Sequence, residues 1–161
     1  MSTSDPGCVF LRHALATLAY RGGKALRGAS AEFGGFRPAP ASRTPAEILA
    51  HIADLLDWSL ALADGRHKWH DSAPLAWDRG VARFFSALEA VDARLASGAP
   101  LGVPAERLFQ GPIADALTHV GQIAMLRRMA GAPVRAENYV MADIVAGRVG
   151  PEQSPPRREF D

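Results

Sequence analysis

The chain has 161 residues, of which 48% are hydrophobic and 22% are charged, enough for one domain with a substantial core. The formal net charge is +1, and basic residues form no run longer than a pair, which argues against a nucleic-acid partner. No segment approaches the roughly 20 apolar residues of a membrane span, so we expect no membrane association. Cys8 is the only cysteine, and the amino-terminal segment does not resemble a signal peptide. We therefore expect a cytoplasmic protein.

The first predicted helix begins at Asp5, which can cap it, with Pro6 in the first turn. Leu11, Leu15 and Leu18 then share one face until Gly22-Gly23 interrupts the pattern. Residues 28–43 are rich in Gly, Ala, Ser and Pro, which predicts a long connection.

The second predicted helix has the clearest start signal in the sequence. Thr44 and Glu47 form the pattern of a capping box around Pro45, and the helix extends to about Gly65. His51 lies at the edge of its apolar stripe, which places an imidazole at a core boundary.

Two further helices follow, one over roughly Leu75 to Ser97 and a fourth that opens at Gly111-Pro112 and ends at Gly131. Strand signals are almost absent. The pattern predicts an all-α, antiparallel four-helix bundle over residues 1–150 with an irregular C-terminal segment. The composition of residues 151–161 predicts a flexible tail.

One polar stripe lies on the fourth predicted helix, in the otherwise apolar run PIADALTHVGQIAML. It consists of Asp115, His119 and Gln122, at spacings of four and three residues. A helix that is apolar nearly all round is usually buried, and a buried carboxylate needs a partner. Because residues four apart share a helix face, Asp115 and His119 can bind one ion together with His51 from the second helix.

A set of two histidines and one carboxylate leaves coordination positions open and suits Zn, Ni, Fe or Mn. Such an ion can lower the pKa of a water molecule or stabilise a thiolate on a small-molecule substrate. Gln122 can orient a ligand, and Trp58 either packs in the core or lines the pocket. Glu47 and Asp54 are candidates for a hydrogen bond to the distal nitrogen of His51, and capping and solvent-exposed roles explain them equally well.

A simpler interpretation needs no metal. A carboxylate in the first turns of a helix is stabilised by the helix dipole, and His119 can bond to a backbone carbonyl. We expect His13, His67 and His70 to lie on the surface.

The segment EILAHIADLLDW, the aromatic third helix and the run GPIADALTHVGQIAMLRRMAG together resemble the DinB-like family of bacterial four-helix-bundle proteins. The similarity extends from Thr44 to about Gly147, and the stretch H-x-G-Q-x3-L-R-R is its most specific part. The resemblance implies an up-down-down-up bundle that is often a homodimer. Many members of that family bind a divalent cation with three histidines, one on helix two and two spaced four apart on helix four.

Carried over by position, the resemblance implies His51 and His119 as ligands, with Asp115 in place of the remaining histidine. Some relatives are thiol transferases that use low-molecular-weight thiols, and many others have no assigned activity, so the family does not fix a reaction. Two hypotheses follow. One is a metal-dependent enzyme that carries out thiol transfer or hydrolysis on a small molecule. The other is a non-catalytic dimeric bundle, a stress-response or interaction module, in which the same residues form a structural polar network.

Overall fold

The computed structural model describes residues 5–160, so the first four residues of the predicted domain and the last residue of the predicted tail lie outside it. Helices carry the regular structure of this range, which confirms the all-α prediction. None of them combines the length and apolar character that a membrane crossing requires. The helices are α1 (Pro6–Leu26), α2 (Pro45–Ala63), α3 (Trp77–Ala96), α4 (Ala105–Leu108) and α5 (Ala114–Met129).

Helix α1 packs against α3 and α5, and α2 packs against the same two helices. The two glycines that interrupt the apolar pattern of α1 do not end it, because the helix continues to Leu26. A Cβ atom on Gly22 would lie 2.6 Å from the ring of Phe84. Gly22 therefore allows the backbone of α1 to approach the aromatic side chains of α3 closely.

Helix α2 begins as the sequence predicts. The Thr44 hydroxyl accepts a hydrogen bond from the Glu47 N–H, and the Glu47 carboxylate accepts one from the Thr44 N–H. This reciprocal pair satisfies two backbone donors at the helix start. One face of α2 is buried in the core through Ile48, Leu49, Ile52, Leu55, Leu56 and Leu62.

The start of the fourth predicted helix is wrong in the sequence analysis. Helix α4 begins at Ala105, a π-helical turn spans Phe109–Ile113, and α5 follows without a break. Pro112 lies inside the π-helical turn, not at a helix start. A wider turn accommodates a proline because neighbouring backbone groups need not meet the α-helical hydrogen-bonding pattern.

The C-terminal segment is irregular as predicted, but hydrogen bonds tie its end to the domain. Glu137 and Glu159 form an isolated antiparallel bridge, and Lys24 of α1 contacts both of their carboxylates, at 2.7 and 2.8 Å. The composition of residues 151–161 predicts flexibility, whereas the structure holds residues 158–160 against residues 136–138. Lys24 on α1 adds two ion pairs to this contact, which no local pattern in the tail reveals.

Candidate metal centre

The structure brings together His51 of α2 and Asp115 and His119 of α5. The Nε2 atom of His119 lies 3.3 Å from Asp115 Oδ1, and Nε2 of His51 lies 3.8 Å from Asp115 Oδ2. The two imidazole rings are nearly perpendicular, with centroids 4.7 Å apart. One potential ligand atom from each residue lies within 4.8 Å of the others.

These distances are compatible with one divalent ion. Ligand atoms about 2.1 Å from a metal are about 3.0 to 3.4 Å from one another in octahedral or tetrahedral geometry. The separation between Asp115 and His119 already falls in this range. The His51 imidazole lies slightly farther away, with its Nε2 3.8 Å from the Asp115 carboxylate.

His51 is held in the neutral form that a metal ligand requires. Burial lowers the pKa of His51, and the nearby His119 and Arg43 lower it further, while Asp115 and Asp54 act in the opposite direction. The imidazole side chain is 22% exposed, so it is desolvated but can still be reached from solvent. At neutral pH its ring therefore offers a lone pair.

Gln122 orients the second imidazole. The Nδ1–H group of His119 donates a hydrogen bond of 2.8 Å to Oε1 of Gln122. An amide oxygen can only accept, so this bond places a proton on Nδ1 and makes Nε2, which faces Asp115, the nitrogen that would bind a metal. The sequence predicts this kind of role for Gln122.

The surroundings of Asp115 differ from those that the sequence predicts. Helix α5 is not buried all round, because Thr118, Gly121, Gln122 and Met125 are exposed, and the Asp115 side chain is 48% exposed. Asp115 also lies ten residues after the start of the helical run at Ala105, so no free helix terminus stabilises its charge. The structure thus removes the helix-dipole explanation for this carboxylate.

An aromatic wall closes one side of His51. Trp69 lies in the 64–76 loop after α2, and its ring packs edge-on against His51 with centroids 5.7 Å apart. Trp58 contacts Trp69 and His67 and does not touch His51 in this way, so it supports the wall from behind. Trp69 was not predicted, since loop residues follow no periodic pattern that would reveal a contact with α2.

Neither acidic candidate for a hydrogen bond to His51 makes one. Glu47 is engaged at the helix start with Thr44 and with Arg37, whose Nη2 lies 3.2 Å from Oε1 of Glu47. Asp54 bonds to Arg83 of α3 and to the Ser72 N–H of the 64–76 loop. The capping role is therefore confirmed for Glu47, and the structure shows neither carboxylate bonded to His51.

Asp54 organises a second cluster with Asp57 and His70, whose potential ligand atoms also lie within 4.8 Å of one another. Arg83 of α3 donates to both carboxylates, at 2.6 Å to Asp54 and 2.8 Å to Asp57. Burial alone would raise the pKa of Asp54, but hydrogen bonds from Arg83 and Ser72 outweigh it and lower that pKa. Arg83 already occupies the position that a metal cation would take.

The second cluster also fixes the 64–76 loop. The Ser72 N–H and hydroxyl both donate to Asp54, at 2.8 and 2.7 Å, and His70 Nε2 lies 3.2 Å from the same carboxylate. His70 is exposed, as predicted, but its contact with Asp54 was not. Since Trp69 immediately precedes His70, the second cluster positions the aromatic wall beside His51.

A cleft of about 620 Å³ opens from the two imidazoles between α2 and α5. Its apolar lining consists of Ile48, Met125 and Leu126, and Arg43 and Ser42 lie on the side of the loop that precedes α2. A volume of this size is typical of small-molecule sites. The two candidate histidine ligands therefore face a space that a small molecule can enter.

Comparison of the chain with protein-family models, with curated proteins and with solved structures gives no match.

Proposed function

We propose that this chain is a DinB-like antiparallel four-helix bundle that binds one divalent metal ion through His51, Asp115 and His119. We further propose that it uses this ion to act on a small molecule in the adjoining cleft. The single observation that carries the proposal is the convergence of three ligand atoms from two helices within 4.8 Å. Zn, Ni, Fe and Mn all accept this set of nitrogen and oxygen ligands.

The chain's own residues determine what such a centre can do. His51, Asp115 and His119 would hold the ion, and Gln122 keeps the Nε2 lone pair of His119 available. When bound, a divalent ion supplies Lewis-acid activation, which lowers the pKa of a water molecule or a substrate thiol. Three protein ligands leave coordination positions free, which is typical of reactive sites. Hydrolysis and thiol transfer are therefore the reaction classes we propose.

A second candidate function is a non-catalytic dimeric bundle. The observation in its favour is that His119 and Gln122 already satisfy each other without metal, through the hydrogen bond between Nδ1–H and Oε1. Such a network can stabilise and specify a fold without performing chemistry. For this candidate we expect that substitution of either histidine lowers stability and leaves metal content unchanged.

Elemental analysis distinguishes the two candidates. Untagged protein is purified without chelator, incubated with Zn²⁺, Ni²⁺, Fe²⁺ or Mn²⁺ and desalted, and the metal is then measured per chain. The variants are His51→Ala, His119→Ala and Asp115→Asn. His13→Ala is the matched control, because His13 is an exposed histidine of α1 outside the cluster.

We expect close to one ion per chain in the unsubstituted protein and in the His13→Ala control. Each cluster variant should lose the metal, because removal of one of three ligands leaves a weak bidentate site. Unsubstituted protein that remains metal-free with all four ions would overturn the proposal and leave the non-catalytic bundle. If metal is found, screens for hydrolysis and for thiol transfer follow on the same samples.

A further inference from the structure

We propose that the cleft beside the metal centre binds small carboxylates with an apolar body, and that Arg43 recognises the carboxylate group. This inference deepens the proposed function, on which it rests for the role of the ligand as a substrate. It concerns a residue outside the metal cluster and names a ligand class that the cluster alone does not indicate.

Among residues 5–160, Arg43 is a cation without a carboxylate partner. Its side chain is exposed, and no carboxylate within residues 5–160 lies at ion-pair distance from it. Many other arginines of the chain do have such partners, as Arg12 has Asp92, Arg83 has Asp54 and Arg94 has Asp64. A planar guanidinium presents paired donors that match the two oxygens of a carboxylate.

The loop that carries Arg43 is fixed. Arg37 donates to the backbone oxygen of Ser42 and also contacts Glu47 in the first turn of α2. The Ser42 hydroxyl donates to the Ala39 carbonyl at 2.8 Å, which closes the turn before Arg43. The backbone of Arg43 is thus held between this turn and the α2 capping box, at the wall of the cleft that contains His51 and His119.

The charge balance around the cleft favours an anion. Glu47 is neutralised by Arg37, and Asp54 is neutralised by Arg83. Two neutral imidazoles and the Asp115 carboxylate leave one net positive charge when a divalent ion is bound. Arg43 adds a second, and clefts lined by one sign of charge concentrate ligands of the opposite sign.

The other residues that line the cleft favour an apolar body. Ile48 and Leu126 are buried in the floor, whereas the Met125 side chain is 57% exposed at the wall. A methionine thioether is flexible and adapts to ligands of different shape. The cleft therefore offers one cationic contact and one hydrocarbon surface.

Methyl-carbon NMR of methionine tests the inference in solution. The chain has four methionines, and the signal of Met125 is assigned with Met125→Leu. Octanoate and its neutral analogue octanamide are titrated separately into metal-free and Zn²⁺-incubated protein, and metal content is measured in each sample. Arg79→Gln is the control for Arg43→Gln, because Arg79 is an exposed arginine of α3 outside the cleft.

We expect octanoate to shift the Met125 signal saturably and to bind at least 10-fold more tightly than octanamide. Arg43→Gln should weaken octanoate binding by about 10-fold, the loss of one charge-assisted contact, and leave octanamide and the Arg79→Gln control unchanged. Circular dichroism verifies that each variant is folded.

Equal binding of octanoate and octanamide would overturn the inference, as would octanoate binding that depends on Zn²⁺ and not on Arg43. An unmoved Met125 signal would also overturn it. These results leave the metal measurement intact. Conversely, Arg43-dependent binding to a protein that takes up no metal would support the ligand class and reject the metal centre, so the two proposals can fail separately.

Discussion

The two His/Asp clusters on the flanks of α2 contain similar residues and differ in how their charge is balanced. In the cluster of Asp54, Asp57 and His70, the Arg83 guanidinium contacts both carboxylates, and Asp54 is almost fully buried. In the cluster of His51, Asp115 and His119, no arginine or lysine of residues 5–160 bonds to the carboxylate. The same two residue types thus form one cluster whose charge is balanced by an internal arginine and one cluster, the open cluster, that has no such cation.

The position of a third group therefore decides what a histidine and an aspartate do together. An internal cation converts such a cluster into a structural anchor, which here positions Trp69. An open cluster beside a cleft retains lone pairs that an external ion can use. Both clusters contain enough ligand-type residues to be considered as metal sites. Only the open cluster lacks an internal cation that balances its carboxylate, and it is therefore the better candidate.

We call the cluster of Asp54, Asp57 and His70 the anchor cluster. Removal of its cation, Arg83, should have the strongest effect on stability. Arg83→Gln should lower the free energy of unfolding by about 3 kcal/mol at pH 7, because it leaves the buried Asp54 carboxylate without its charge partner. The loss should shrink as the pH falls, since the pKa of Asp54 rises without Arg83 and protonation then relieves the uncompensated charge. Urea unfolding with a chelator present, at pH 7 and at lower pH, measures the loss of stability and its dependence on pH.

Arg79→Gln on the same helix provides the control, and it should change stability by less than about 0.5 kcal/mol. If Arg83→Gln were no more destabilising than this control, the anchor cluster would not owe its stability to internal charge compensation.

An intermediate effect is expected for the group that orients His119. Gln122→Ala should weaken metal affinity by about 10- to 100-fold, because the His119 ring loses the acceptor that fixes its tautomer. Gln122→Glu keeps an acceptor for Nδ1–H and should retain most of the affinity. Competition with a chromophoric chelator measures the dissociation constants, and Thr118→Ala serves as the exposed control on α5.

Equal affinities for Gln122→Ala and Thr118→Ala would mean that the hydrogen bond to His119 does not organise the centre. Failure of Gln122→Glu alone would point to added negative charge and not to the tautomer. The two variants therefore separate orientation from electrostatics.

The smallest effect concerns pH and the metal-free open cluster. The pKa of His51 is lowered from 6.5 in the folded protein, mainly by burial, so the unfolded chain binds a proton more readily. The stability contributed by the neutral ring is therefore fully present above about pH 6.5, and it declines as the pH falls below this value toward the folded-state pKa. His51→Gln should flatten this part of the stability profile.

Urea unfolding at a series of pH values between 5 and 8, with chelator present, measures the slope for His51→Gln and for His13→Gln. The His13 variant should keep the slope of the unsubstituted protein. Identical profiles for all three proteins would show that His51 titrates alike in the folded and unfolded chains.

Local signals explain which parts of the structure the sequence predicts. The start of α2 is correct because a capping box involves only Thr44 and its third neighbour, and α3 is correct within two residues because its apolar period is regular. The candidate ligands were identified because helix periodicity places Asp115 and His119 on one face. The convergence of α2 and α5 then brings His51 to them.

Features that depend on the path of the chain were not predictable in this way. Trp69 and Arg43 belong to irregular segments, so their positions beside His51 are set by distant anchors such as Asp54 and Arg37. The start of the fourth helix was misplaced because a Gly-Pro pair is typical of a helix start, and no local rule distinguishes it from a proline inside a wide turn.

The π-helical turn before α5 has a consequence for how the open cluster tolerates changes in chain length. A π turn contains about one residue more than an α turn over the same rise. It therefore accommodates one extra residue while the helical segments on either side keep their side-chain directions. Loss of Pro112 would convert it to an ordinary turn while Asp115 and His119 still face α2. A one-residue deletion in α5 itself would instead rotate every later side chain by about 100°. The π-helical turn therefore tolerates a one-residue deletion, whereas the segment of α5 that carries Asp115 and His119 does not.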